Sequence, residues 1–313
     1  MSDDYRQCKA YQNQAITRKE GLVPLGSEVG YTLRIVLLLK TLVAPRVKDL
    51  AVLEKMEEQM VKVRPGLMIV APKIEAGGSE AEAWDKQLKL FGYTPAGFGV
   101  APTKTLEVSL GEPEDDILAQ MASRTRYNIR LAERRGVSIN IYSGQEELAT
   151  PGLFDEFYTV YHENCQRVKI ASESKENLRY LLEAFQDDAI LIHAHFENET
   201  CAVGSLIVAG DSITYYVNGS TEVGRKNFAP NLVIWEGMKA GKQKGCLWFD
   251  FDGIIDERYP GQKEWEGFTR FKKGFGGIER TYLGSFTKWF PLLKRRKTAK
   301  ALLAAQQVSP SSQ

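Results

Sequence analysis

At 313 residues, 43% of them hydrophobic, the chain can bury cores for about two domains of ordinary size. A formal net charge of +1 excludes a globally basic nucleic-acid binder, so recognition of an anion has to come from a local patch. Cys8, Cys165, Cys201 and Cys246 are scattered without a CxxC pair, which argues for reduced thiols in a cytosolic protein and against a disulfide or zinc framework.

The opening MSDDYRQCK lacks the apolar stretch of a signal peptide, and the longest apolar run, Ile35–Leu39, is far too short to span a bilayer. In chain order, Tyr31–Leu39 reads as a strand and Val47–Lys62 as a helix, with Leu50, Leu53, Met56 and Met60 at helical spacing. Leu67–Ala71 is a second strand, Ala81–Phe91 a helix with Trp84, Leu88 and Phe91 on one side, and Thr105–Leu110 another strand. Pro113–Arg135 predicts one long helix. Proline and the acids Glu114, Asp115 and Asp116 open it, and Arg134, Arg135 and Gly136 close it, the charge order a helix dipole favours. Its period sets Arg126, Arg130 and Arg134 on one face. After a strand at Val137–Tyr142 come helices at Leu153–Cys165 and Lys175–Phe185, then a meander of Ala189–Phe196, Ala202–Ala209 and Ile213–Asn218. Pro230–Lys244 reads as a helix, Leu247–Phe251 as a strand, and Pro291–Gln307 as a basic helix before the tail SPSSQ. Strands mixed with helices in each half indicate an α/β (α+β) fold of two similar units, split near residue 138.

Several constellations carry chemistry. His193 and His195 share a strand face, yet no third ligand stands at a recognisable spacing, so a structural role is expected and no metal site. Asp250 and Asp252 share a face at a strand end, where a carboxylate can accept a proton or simply cap the following turn. Arg225–Pro230 precedes a helix where acetyltransferases of the GNAT class cradle the coenzyme A pyrophosphate on backbone N–H groups. Phe228 and Pro230 stand in the small-residue positions, and proline has no N–H, so coenzyme A is disfavoured. Thr269–Lys300 holds ten Lys or Arg against one Glu, either a solvated face or a contact for tRNA phosphates or an anionic membrane. The stripe Arg126/Arg130/Arg134 has the same two readings. In GFTRFKKGFGG (Gly267–Gly277) the glycines permit a tight turn and close approach of a ligand. If the segment is extended, Phe271 and Lys272 face opposite ways.

FDGI (Phe251–Ile254) followed by GFTRFKKGFGGIERTYLGSF (Gly267–Phe286) resembles the signature of the FemABX peptidoglycan aminoacyltransferases, a D-F-G-G-like strand end and then G-x-x-x-F-K-x-G-F-G-G. YRQCKAY (Tyr5–Tyr11) is similar to that family's F-x-Q-S-x-x-W opening, and LVAPR (Leu42–Arg46) to its segment before P-R-G-P. TLEVSL and SRTRYNIRLAERRGV (Ser123–Val137) resemble its strand and arginine-bearing helix. YTVYHENCQRVKI lies at its T-x-R motif, and YYVNGS resembles its Y-Y-x-x-G-S strand end. Departures are Val47 for the glycine after Arg46, Cys165 for the usual threonine, and Asp252 where glycine is common.

The resemblance implies two tandem GNAT-like acyltransferase domains with mixed central sheets flanked by helices, at residues 1–138 and 139–286, with 287–313 returning to the first. It implies a compact form without a coiled-coil arm, and no coenzyme A or other cofactor. The implied activity is transfer of an amino acid from aminoacyl-tRNA to the stem-peptide amine of a UDP-linked or lipid-linked muropeptide, without a stable nucleic-acid complex. Lys272, beside Phe271, matches the essential F-K pair and is expected to stabilise the oxyanion, with Asp250, Asp252 or a phosphate or carboxylate of the substrate itself as base. Arg46 and Arg167 match the residues that grip the precursor's diphosphate, and Tyr215 or Tyr216 the tyrosine lining that cleft. Arg126, Arg130, Lys294, Arg295 and Arg296 are the expected tRNA or membrane contacts, in a cytoplasmic protein touching the inner membrane surface peripherally. The rival readings are an acyl-coenzyme A-dependent N-acyltransferase and an inactive relative that binds the membrane surface.

Overall fold

The computed structural model describes residues 4–12, 21–36, 39–259 and 265–290. The basic segment Pro291–Gln307, with Lys294, Arg295 and Arg296, lies outside them. Two sheets organise the chain. The first holds β1 (Gly21–Leu25), β2 (Glu28–Val36), β3 (Leu39–Val47), β4 (Leu67–Pro72), β5 (Thr94–Pro95) and β13 (Phe286–Trp289), in the order β1-β2-β3-β4-β13-β5. The second holds β6 (Lys104–Ser109), β7 (Ser138–Ser143), β8 (Ala189–Phe196), β9 (Glu199–Ala209), β10 (Ser212–Ser220), β11 (Trp248–Gly253) and β12 (Ile278–Thr281), in the order β12-β6-β11-β10-β9-β8-β7.

The apolar run LMIVAP makes β4 a strand buried on both faces. Its period of two sends Met68 and Val70 to one face, and Leu67 and Ile69 to the other beside Trp289. Helices Ala51–Val63 and Gly78–Leu90 cover the first face with Leu53, Met56, Trp84 and Leu88. Each sheet has one parallel pair, β3/β4 and β10/β11, and each pair is joined through helical crossovers. Each sheet has an irregularity beside its parallel pair: β3 shifts register against β4 at Arg46 (φ 58°), and β11 shifts against β6 between Asp250 and Gly253, with Asp252 also at φ 58°. Among the described residues no helix is long and apolar enough to cross a membrane.

Three sequence expectations change. Pro113–Arg135 is two helices, Glu114–Gln120 and Ser123–Arg134, because the Ala122 N–H donates to the Gly274 carbonyl (2.9 Å) and leaves the helical ladder. The division between the sheets falls between β5 and β6, not near residue 138. β6 pairs with β11 and β12, and Leu106, Ile117, Ile129 and Ala132 join the second sheet's core. That pairing brings the Thr105 side chain to Asp250, 145 positions away, and no local pattern signals it. Finally, GFTRFKK is helical (Glu266–Lys273), not extended.

Candidate active site

The helix Glu266–Lys273 has its cations Arg270, Lys272 and Lys273 in the last turn, where the dipole favours them. Its buried side is polar: Thr269 and Lys272, one turn apart, both face the exit of β11. The Thr269 hydroxyl accepts from the Ile255 N–H (3.0 Å). Lys272, only 2% exposed, donates from Nζ to the carbonyls of Phe251 and Gly253 (2.7 Å for the latter), the two that flank Asp252. The Phe268 ring lies 3.9 Å from the ammonium. Phe271 is half-buried and meets Phe275 edge-on at 5.4 Å, and Phe275 in turn packs on Phe251.

The glycines after the helix have a steric reason. Gly276 (φ 79°) and Gly277 (φ 98°) carry the chain between helix and β12. A Cβ there would lie 2.9 Å from the Gln120 carbonyl oxygen and 2.5 Å from that of Glu107, respectively.

On β11, Phe249 and Phe251 fill the core while Asp250 takes the opposite face, buried against Thr105 of β6. Asp250 Oδ1 accepts from the Asp252 N–H (2.8 Å) and lies within hydrogen-bond distance of the Thr105 hydroxyl, which also reaches the Asp252 carbonyl. The Thr105 hydroxyl thus bridges the Asp250 carboxylate and the Asp252 carbonyl. Burial, reinforced by the Asp252 charge, pushes Asp250 up to about 6. Burial pulls Lys272 down to about 7, against the opposing pull of Asp252 and Asp250. An acid and a base thus change protonation near neutrality, both anchored to the backbone around one strained residue.

The turn at Asp252 aims its carboxylate at Arg6 (3.2 Å), so the shared face expected for Asp250 and Asp252 is broken. Arg46, 2% exposed, pairs with Asp4 (3.3 Å) and stacks on Tyr282 (4.4 Å), beside a crevice lined by Pro72, Pro102 and Thr103. Tyr216 donates to Glu173 (3.1 Å) and meets Tyr5 edge-on at 5.7 Å. Tyr215 points into the core between Phe249 and Phe251 and is buried there.

Other expected residues sit apart from this cluster. Arg167 ends the helix Leu153–Val168 and bonds Asn164 (2.7 Å). Partial burial and the neighbouring Arg225 hold its guanidinium below the ordinary value. Arg126 donates to the carbonyls of Ala119 (3.1 Å) and Met121, closing the preceding helix instead of facing a ligand. Arg130 is exposed. His193 is buried, its Nε2 3.0 Å from both carboxylate oxygens of Glu147. Among the described residues no three His, Cys, Asp or Glu side chains form a metal-ligand set. A separate groove, lined by Ile141, Tyr142, Gln145, Asp187 and Lys244, contains none of the expected residues.

Sequence reasoning missed Asp4, Arg6, Thr105 and Lys73, whose ammonium lies 4.0 Å from the Asp4 carboxylate. Arg6 lies inside YRQCKAY, which was informative only as a motif. Each has a partner distant in sequence: Arg46 and Lys73 for Asp4, Asp252 for Arg6, and Asp250 for Thr105.

The sequence matches the FemAB family over residues 40–200 and 192–295. Sequence comparison with curated proteins gives no match. Among solved structures, FemX superposes with a TM-score of 0.76 at 15% identity, covering 92% of this chain and 93% of that one. The C-terminal domain of a putative lysylphosphatidylglycerol synthetase from Agrobacterium fabrum gives 0.64 at 13% identity, over 96% and 92% of the two chains. A tandem GNAT protein from the clavulanic acid biosynthesis pathway gives 0.55 at 10% identity, over 90% and 88%. The fold is therefore two tandem GNAT-like domains of mixed α/β structure. With the family match running through both sheets, the chain belongs to the FemAB family.

Proposed function

We propose that this protein is an aminoacyltransferase that moves an amino acid from aminoacyl-tRNA to the stem-peptide amine of a peptidoglycan precursor. The observation that carries the reading is the cluster at the end of β11. There a buried lysine and a buried carboxylate titrate near neutrality inside a FemAB-family chain.

In this reaction the neutral acceptor amine attacks the ester carbonyl of the aminoacyl group. A C–N bond forms, a tetrahedral oxyanion develops, and the C–O bond to the ribose breaks as that oxygen takes a proton. Two of the three Lys272 N–H donors are held by carbonyls, and the third is assigned to the oxyanion, a contribution of about 3 kcal/mol in comparable sites. Asp250, raised toward neutrality, accepts the amine proton. Phe271 and Phe275 pack the wall behind the lysine. Arg46, beside the crevice lined by Pro72, Pro102 and Thr103, is assigned to the precursor's diphosphate, and Arg167 and Tyr216, which do not line that crevice, to other parts of the precursor. Tyr215, buried in the core, contributes packing.

The tRNA side is supported by the helix Ser123–Arg134. It starts against the glycine turn, where Ala122 meets Gly274, and its outward face carries Arg124, Arg130 and Arg134. Among the described residues none of these has a carboxylate at ion-pair distance, and Arg134 lies 5.9 Å from the ring of Tyr127, which is 56% exposed. Exposed arginines around an exposed aromatic suit a phosphate backbone with an unpaired base.

Coenzyme A chemistry is poorly supported. The backbone donors before the helix Ala229–Gln243 are spent internally, Gly224 on the Thr221 hydroxyl (3.1 Å), Arg225 on the Thr221 carbonyl (3.1 Å) and Phe228 on the Arg225 carbonyl (3.2 Å). The deciding experiment offers labelled aminoacyl-tRNA with UDP-muropeptide, lipid-linked muropeptide or phosphatidylglycerol vesicles as acceptor. Transfer to a muropeptide supports the reading. Transfer only to phosphatidylglycerol, or transfer only from an acyl-coenzyme A, overturns it.

A further inference from the structure

We propose that Arg6 is a positioning residue: from an N-terminal strap spanning the two sheets it holds Asp252, and through Asp252 it fixes the geometry and charge of the Asp250/Lys272 cluster. The inference rests on the aminoacyl-transfer reading for its activity arm alone.

The strap is short and strongly held. Tyr5–Gln7 forms a single 3₁₀ turn, capped by Asp4, whose carboxylate accepts the Arg6 N–H (3.0 Å). Gln7 fastens it to the first sheet, accepting from the Val29 N–H (3.0 Å) and donating to the carbonyls of Val29 (3.2 Å) and Pro45. The Tyr31 hydroxyl donates to the Arg6 carbonyl. On the other side Tyr5 is buried in the second domain's core against Tyr216. Arg6 therefore starts from a backbone fixed to both sheets.

Its guanidinium has little freedom. One nitrogen reaches both oxygens of Asp4 (3.3 Å each), another reaches both oxygens of Asp252 (3.2 and 3.4 Å), and the plane lies 4.2 Å from the centre of the Tyr5 ring. Asp252 sits at a positive φ that glycine takes without strain and aspartate takes only with local support. The residue Arg6 grips is also the one whose N–H bonds Asp250 and whose flanking carbonyls bond Lys272. Moving the Asp252 carboxylate would move all three.

The charge consequence has a definite sign. Asp250 faces Asp252, Glu107, Lys73 and the Thr105 hydroxyl, and Lys272 faces Asp252 and Asp250. Arg6 is the cation bonded to Asp252. Without it the carboxylate acts uncompensated, and both Asp250 and Lys272 hold their protons to higher pH.

The test uses the full chain with isotope-labelled lysine. The titration midpoint of Lys272 is followed by NMR, with Lys272→Arg identifying its signal. Arg6→Gln is expected to raise the midpoint by about one unit and to lower kcat about tenfold with KM unchanged, and Arg6→Lys to recover part of both. An unchanged midpoint in folded Arg6→Gln overturns the proposal. Should that variant not fold, Asp252→Gly, which suits the local backbone, carries the same question. Its midpoint must fall, and a wild-type value overturns the proposal. The titration needs no substrate, so a shifted midpoint without aminoacyl transfer sinks the substrate reading and upholds the role of Arg6.

Discussion

Two buried acid–base pairs lie in the second domain, and they are built differently. Glu147 and His193 bond each other directly, fully enclosed beside Phe157 and Tyr142. Asp250 and Lys272 are bonded to the backbone on either side of Asp252, and the strap from the first sheet presses on that residue. A direct pair inside one domain is consumed by its own partner and holds structure. Two groups linked through a strained strand end can each change protonation without leaving the other bare. Burial is common to both. The difference lies in what each charge is tied to, and it separates a core device from a candidate site.

The largest expected effect is on stability. Glu147→Ala leaves His193 buried beside an empty position and should cost about 3–5 kcal/mol in chemical denaturation. The Lys272 titration midpoint should stay where it is in the folded fraction. A moved midpoint would show that the two pairs communicate and would break the comparison.

The next effect is on transfer. Lys272→Ala should reduce kcat about 100-fold or more with the fold retained by circular dichroism, as loss of an oxyanion donor does. Wild-type turnover in that variant would move the lysine into the structural class with His193.

Acidity sharpens the contrast further. Below about 6 Asp250 is protonated and cannot accept the amine proton, and above about 7 Lys272 loses the charge that stabilises the oxyanion. Transfer should therefore peak between these limbs, rising through the first and falling through the second. Asp250→Asn should lower the rate and abolish the rising limb, measured as kcat against pH with saturating substrates.

The smallest effects concern the arginine helix. Arg130→Ala should weaken RNA binding and reduce the salt slope of log affinity by about 1. Arg126→Ala should leave that slope unchanged and cost about 1 kcal/mol of stability, since its guanidinium closes a helix.

Much of this molecule was legible from local pattern. β4, the helix behind it and the β8–β10 meander follow from periods of two and 3.6, because each buries one apolar face. The site was legible as a motif and not as a shape. In Glu266–Lys273 the buried side chains are Thr269 and Lys272 while Phe268 is exposed, so the hydropathy pattern of the helix is inverted. No periodicity reading recovers a helix whose core face is polar. Arg126 leaves the stripe it forms with Arg130 and Arg134 for a related reason. Equal spacing says nothing about Arg126 being drawn to the carbonyls of Ala119 and Met121 once Gly274 interrupts the helix.

The sequence by itself determined the mixed α/β (α+β) character, the order of the elements, the family motifs and the glycines that the turn at Gly276 and Gly277 requires. These depend on neighbours a few residues away, and hydrophobic period and steric allowance act at that range. Only the tertiary structure decided which sheet receives β6, that Lys272 is buried on the carbonyls around Asp252, and that Arg6 reaches that carboxylate across 246 positions of chain. Charges at such separations are brought together by the packing of two cores, and desolvation on arrival sets their protonation. Neither quantity exists until the chain has folded.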